Sequence, residues 1–215
     1  MLVLAFCQDS RAARLERPRL LDPHLEYLRT VMSSIRLAAP LATADGAAIS
    51  DDDRLMGSMF AIEAPSPAAA REIIGSDPYT KGGVWISVVL FNVLECYGEW
   101  AEGTRYPGSP RLYAAFFTGS AAAEARSDDN FVAHREYMLG LGAPSFLGGK
   151  LAAVGSIGAE VDQTHWNLFD VFGAESLEQA RSLAAGDACI VRGSLTAQVM
   201  AIPHAVGSWS NTGSR

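Results

Sequence analysis

The sequence predicts an α+β protein built from two tandem copies of one β-α-(β)-β-α-β unit. Three observations lead there. First, a shift of 110 positions lays the chain over itself: Ala5-Phe6 falls on Ala115-Phe116, His24, Glu26 and Tyr27 on His134, Glu136 and Tyr137, and Asp77 on Asp187. Second, within each period Val- and Ile-rich apolar runs alternate with stretches whose apolar residues recur at three and four. Third, 49% of the residues are hydrophobic and 19% charged, a balance that suits a packed core and argues against disorder.

The elements follow in order. "MLVLAFCQ" (1–8) reads as a strand. "PHLEYLRTVMSSIRLA" (23–38) reads as a helix, with Leu25, Leu28, Met32 and Ile35 at helical spacing, Asp22 as N-cap and Pro23 at the first helical position. "LATA" (41–44) is a short strand and "LMGSMFAIEA" (55–64) a longer one. "SPAAAREII" (66–74) is a second helix opened by Ser66-Pro67, and "GGVWISVVLFNVLE" (82–95) is a closing strand. The second unit repeats this with strands at 111–119, 165–174 and 193–203 and helices at 130–141 and 176–186. The order is that of the ferredoxin-like split βαβ unit. Two helices cover one face of such a sheet and leave the other bare, so the two sheets are expected to face each other as an internal pseudo-dimer. The domain expectation is residues 1–97, a Gly/Pro-rich linker at 98–110, residues 111–203 and a tail at 204–215.

Net charge is −7, and both halves are acidic. No basic face is available for phosphates, so neither nucleic acid nor an anionic membrane is an expected partner. Cys7, Cys96 and Cys189 are odd in number and form no C-x-x-C pair, which suits free thiols in a cytoplasmic protein. The longest apolar run, "VWISVVLFNVL", is too short to cross a bilayer as a helix. No spacing of His, Cys or acidic residues supports a metal site, "FLGGK" (146–150) is no phosphate loop and "GSIG" (155–158) no dinucleotide fingerprint. No cofactor is called for.

The candidate chemistry rests on His24 and Asp77, and on His134 and Asp187. His24 is expected in the first turn of its helix, where the dipole disfavours imidazolium and leaves a base. Asp77 sits in "GSDPY", and contact with His24 would fix the imidazole tautomer. Tyr27 and Tyr137, three residues after each histidine, are candidates for lining a pocket, with packing as the plainer reading. Arg11, Arg14, Arg17 and Arg19 could greet an anionic substrate or form a solvated loop; His165-Trp166 could belong to a site or to edge packing.

The strand "MLVLAFCQD", the "DPHLEYL" segment and "GSMFAIEA…AAAREIIGSDPYTKGGVW" resemble the YciI-like (YCII-related) family over most of residues 1–95, and weakly over 111–203. The resemblance implies a dimeric α+β barrel with a His–Asp pair in a cleft, and activities on small aromatic or lactone-like molecules, as in dehydrochlorination. Carried over, the pair is His24 with Asp77, and His134 with Asp187. Tyr79 comes with the Asp-Pro-Tyr segment, which in the second unit has become Asp187-Ala188-Cys189. The expectation is a cofactor-independent lyase or isomerase acting on a small cyclic or aromatic metabolite, with a homodimer left open. The alternative is a non-catalytic small-ligand-binding or structural barrel protein.

Overall fold

The computed structural model describes residues 1–45, 55–98, 111–119, 127–141, 145–159 and 166–207. The expected linker beyond Gly98, His165 and the last eight residues lie outside the described residues. The chain forms two compact units. The first comprises Met1–Val93, Ala153–Thr164 and Pro203–Arg215, the second Leu94–Ala152 and His165–Ile202.

In the first unit the order is β1 (Leu2–Asp9), α1 (Ala13–Val31), β2 (Ile35–Ala42), β3 (Leu55–Glu63), α2 (Pro67–Ser76), a single turn α3 (Pro78–Lys81) and β4 (Trp85–Tyr97), whose last residues belong to the second unit. β1 is central and pairs antiparallel with β3 and β4, and β2 pairs antiparallel with β3. The strand order β4-β1-β3-β2 is the ferredoxin-like one. Val3, Ala5 and Cys7 on β1, Phe60 and Ile62 on β3 and Val88 and Leu90 on β4 bury one face of the sheet with Leu28 of α1 and Ala70 and Ile74 of α2.

Two elements of this unit differ from the expectation. α1 begins at Ala13, not at Pro23, and keeps Pro18 and Pro23 inside it. An internal proline removes one backbone hydrogen bond to the residue four before it. Here those residues are Arg14 and Arg19, both exposed, and both prolines are exposed too, so water can satisfy the freed carbonyls. The buried positions Ala13, Arg17, His24 and Leu28 form one stripe at helical spacing, and this stripe holds the helix together across both prolines. The other difference lies at the far end: α1 stops at Val31, and after one 3-10 turn "IRLA" enters β2.

In the second unit the order is β5 (Arg111–Gly119), α4 (Ser127–Gly140), β6 (Ser145–Gly158), whose last residues belong to the first unit, β7 (Trp166–Ala174), α5 (Leu177–Ala185), the turn α6 (Ala188–Val191) and β8 (Leu195–Ile202). β5 pairs antiparallel with β7 and β8, and β6 with β7, giving the order β8-β5-β7-β6. β6 is absent from the sequence expectation because glycines at 148, 149, 155 and 158 dilute its strand pattern. Among the described residues no helix is long and apolar enough to cross a membrane.

Both units cap their second helix alike. Ser66 and Ser176 each accept the backbone N–H three residues on, from Ala69 and Gln179. Asp77 and Asp187 then cap the short turns α3 and α6, accepting from the N–H groups of Tyr79 and Cys189. These caps aim a carboxylate back at the first helix of each unit.

Candidate functional site

The site of the first unit lies between α1 and the sheet. Both carboxylate oxygens of Asp77 lie 2.9 Å from His24 Nδ1, and Oδ1 also accepts the Tyr79 N–H at 2.7 Å. Asp77 is fully buried and ionised carboxylates only accept, so Nδ1 carries the proton and Nε2 is left with the lone pair in the neutral ring. The Tyr79 ring stacks on the imidazole at 4.0 Å and 5°, and Trp85 stands edge-on to both rings. Burial and then the nearby Arg17 charge act on the Tyr79 hydroxyl in opposite senses; burial prevails, and its pKa rises to about 12. Among the described residues His24 Nε2 has no hydrogen-bond partner. The imidazole borders a cavity of about 70 Å³ whose wall includes Arg17, Leu28, Ser58, Phe60, Tyr79 and His204.

Arg17 is nearly buried and held by Asp9, through Nε at 2.9 Å and Nη2 at 2.6 Å, with Ser58 Oγ 3.1 Å from Nη2. His204 arrives from the chain's end. Ala38 and Val206 exchange backbone hydrogen bonds of 2.7 and 2.9 Å, which straps residues 203–207 onto β2 and sets His204 at the cavity's exposed rim. Partial burial, and then the Arg17 charge, lower the His204 pKa below the ordinary imidazole value.

The second unit has the same His–Asp spacing but a closed site. His134 Nδ1 lies 2.7 Å from Asp187 Oδ2, and Nε2 lies 2.6 Å from Asp170 Oδ2. Asp170 further accepts from the Tyr97 hydroxyl at 2.8 and 2.9 Å and from Ser145 Oγ at 3.1 Å. His134, Asp170 and Asp187 are all fully buried. Burial pulls the His134 pKa down, but the Asp170 and Asp187 carboxylates outweigh it and raise it to about 9. Burial acts to raise Asp187, and its bonds to His134 and Cys189 overcome this and lower it. Burial and Asp170 push the Tyr97 hydroxyl far up, so it stays protonated. The result is an imidazolium held between two carboxylates, with no nitrogen left for a substrate.

Asp170 was not anticipated from the sequence, though its signal was there. It stands 110 positions after Phe60, and the pairing registers agree: Ala5 opposes Phe60 on β1 and β3, and Ala115 opposes Asp170 on β5 and β7. One exchange of a ring for a carboxylate separates an open imidazole from a clamped one. Tyr27 and Tyr137 stand apart from this chemistry. Their hydroxyls donate to the carbonyls of Ile73 at 2.7 Å and Leu183 at 2.8 Å, tying the first helix of each unit to the second. Arg11, Arg14 and Arg19 are exposed, and Arg17 alone of that cluster reaches the cavity. Trp166 stacks on Phe116 at 4.1 Å in the second unit. The first-turn placement of His24 also fails. His24 lies eleven residues into α1, roughly three turns from its start, beyond the reach of the dipole end; Asp77 governs the ring instead.

Residues 1–93 match the family model of the YCII-related domain. His24, Asp77, Tyr79 and Arg17 all lie within that YCII-related span, whereas His204 comes from outside it. Among solved structures, the 5-chloro-2-hydroxyhydroquinone dehydrochlorinase of Burkholderia phenoliruptrix, in complex with 2,5-dihydroxybenzoquinone, is 27% identical over 42% of this chain and 90% of its own, with a TM-score of 0.38. A monooxygenase-like protein of Fusobacterium nucleatum subsp. nucleatum is 6% identical over 96% of this chain and 93% of its own, with a TM-score of 0.58. A mutant chlorite dismutase of Candidatus Nitrospira defluvii, bound to cyanide, is 11% identical over 94% of this chain and 90% of its own, with a TM-score of 0.54. The last two establish likeness of fold alone. No curated protein matches the chain.

Proposed function

We propose that the first unit is a cofactor-independent acid–base catalyst, a lyase, isomerase or dehydrochlorinase-like enzyme, acting on a small cyclic or aromatic metabolite. One observation carries this reading: of the two histidines, each with an aspartate on Nδ1, His24 leaves Nε2 open on a cavity while His134 does not. Nε2 takes a proton from a carbon acid or phenol. Asp77 fixes the tautomer and stabilises the imidazolium that forms, as an orienting aspartate does beside a catalytic histidine. Tyr79 holds the ring plane by stacking. His134 and Asp187 form a structural counterpart. Supporting this is the YCII-related match over the span that supplies the pair.

The tandem origin of the second unit and a cytoplasmic location belong to the same proposal. They rest on the 110-residue repeat, the like strand orders and the free thiols.

The test is solvent deuterium incorporation into a panel of small phenols, hydroxyquinones and unsaturated lactones. The wild-type protein and the His134→Gln variant should incorporate deuterium into at least one of them, and His24→Gln should lose incorporation by 100-fold or more, on the order of a general base's contribution. Undiminished incorporation by His24→Gln overturns the reading, as does binding of panel members by the wild type without any exchange, the behaviour of a ligand-binding protein.

A further inference from the structure

The acid–base reading leaves one buried cation in the cavity wall without a task. Arg17 is 3% exposed. Its Nε and Nη2 are committed to Asp9 and Ser58. Nη1 makes no bond to Asp9 or Ser58. Arg17 lines the cavity, and with Nε and Nη2 taken up by Asp9 and Ser58, Nη1 is the nitrogen left to meet a ligand there. Arg17 and His24 lie two turns apart on one buried stripe of α1. The Tyr79 ring links them, with His24 stacked on it and the Arg17 Cζ 5.3 Å from its centroid. The Tyr79 hydroxyl in turn donates to the Arg17 carbonyl at 3.1 Å.

The charge balance of the wall agrees. Asp9 pairs with Arg17 and is not part of the cavity wall, whereas the Arg17 charge acts on His204 at the rim. The wall therefore holds the Arg17 cation without its Asp9 partner, in a site of low dielectric where one charge counts for more than in water.

We propose that Arg17 Nη1 is the oxyanion receptor of the first unit, so that its substrate is a small molecule presenting one phenolate or enolate oxygen to Arg17 and an acidic hydrogen to His24. This rests on the acid–base reading above. When the substrate C–H bond breaks, its proton bonds to His24 Nε2 and the electron pair delocalises onto the carbonyl or ring oxygen. Arg17 meets that oxygen with donors already in place, the arrangement that stabilises charge as it develops. Ser58 and Asp9 keep the guanidinium from turning away. Arg17 is then a binding and charge-stabilising residue, separate in role from the base.

The experiment uses 4-nitrophenol as the probe, because its phenolate absorbs visibly and reports its own protonation when bound. In the wild-type full-length protein the bound probe's apparent pKa should fall by about one unit, a tenfold bias toward phenolate. His24→Gln should keep that fall, because Arg17 and not His24 receives the oxygen. Arg17→Lys keeps a cation but loses the planar fork that can hold Asp9 and a ligand oxygen at once; its ammonium stays with Asp9, and the probe's pKa should move back toward the free value. Asp9→Asn leaves the guanidinium unscreened and should deepen the fall; this variant decides the matter if Arg17→Lys does not fold. The same fall in Arg17→Lys, no change with Asp9→Asn, or a probe bound as the neutral phenol overturns the proposal. Loss of deuterium exchange in His24→Gln with no probe effect at Arg17 would leave the base in place and remove the receptor, so the two readings fail separately.

Discussion

Asp170 Oδ2 lies 2.6 Å from His134 Nε2, and both groups are fully buried. Together with Asp187 this makes the second unit's histidine a buried imidazolium and a source of pH-dependent stability. In the folded chain its pKa is raised from 6.5 to about 9. A raised pKa means that the stabilisation is complete below about pH 6.5 and is lost as pH rises through about 9. The shift corresponds to about 3 kcal/mol at most. Urea unfolding at intervals from pH 6 to pH 9.5 should show the wild type losing stability across that window. A His134→Gln variant should be less stable at pH 6 and nearly flat through it. A flat wild-type profile would refute a charged His134.

Asp170→Asn tests the clamp from the other side. The asparagine keeps the shape but removes the carboxylate that contributes most to raising the His134 pKa. Breaking a buried pair by removing one partner costs about 3 kcal/mol or more where the remaining charge is stranded. Here His134 can shed its proton and Asp187 remains, so about 2 kcal/mol at pH 6 is expected. The alkaline loss should move toward neutral pH. In the double variant with His134→Gln the effects should be less than additive, because both remove the same interaction. Additive effects would show that the two residues act independently.

Much of this arrangement was legible in the sequence, and the reasons for the rest are physical. The 110-residue offset located both histidines and both aspartates, and the structure brings each pair within hydrogen-bond distance. The start of α1 was hidden by Asp22-Pro23, which resembles a helix opening because cap residues and an N1 proline favour one. Tracing the stripe back through His24 and Arg17 to Ala13 would have extended the helix and put Arg17 beside His24. Asp170 was masked by its setting: one acid in the apolar strand "HWNLFDVFGA" carries no periodic signal, although its exchange for Phe60 was visible at the same offset. His204 had no counterpart at that offset and stood in a stretch with no period. The long-range bridge from Val206 to Ala38 brings it to the cavity.

Tyr27→Phe separates tethering from catalysis. The Tyr27 hydroxyl donates to the Ile73 carbonyl at 2.7 Å, and Tyr27 is not part of the cavity wall. Losing one partly buried hydrogen bond should cost about 1 kcal/mol. Deuterium exchange by the folded protein should be unchanged. A large loss of exchange at unchanged stability would instead place the hydroxyl in the reaction.

Gly148→Ala probes how the clamp in the second unit is packed. A Cβ built at Gly148 would lie 2.4 Å from Asp170 Oδ1 and 2.4 Å from Tyr97 Cζ. Neither neighbour is a free chain end: the Tyr97 hydroxyl is bound to both Asp170 oxygens, and Asp170 to His134 and Ser145. The methyl can enter only by pushing Tyr97 or Asp170 off its partners. Overpacking of this kind typically costs about 1–3 kcal/mol, and displacement of Asp170 should also lower the His134 pKa. The variant should therefore lose stability most at acidic to neutral pH, where His134 is charged, and converge toward the wild type above the His134 pKa of about 9. Thermal unfolding of both proteins at pH 6 and pH 9.5 gives the comparison. An equal loss at both values would mean that the strain is steric alone and leaves the imidazolium clamp intact.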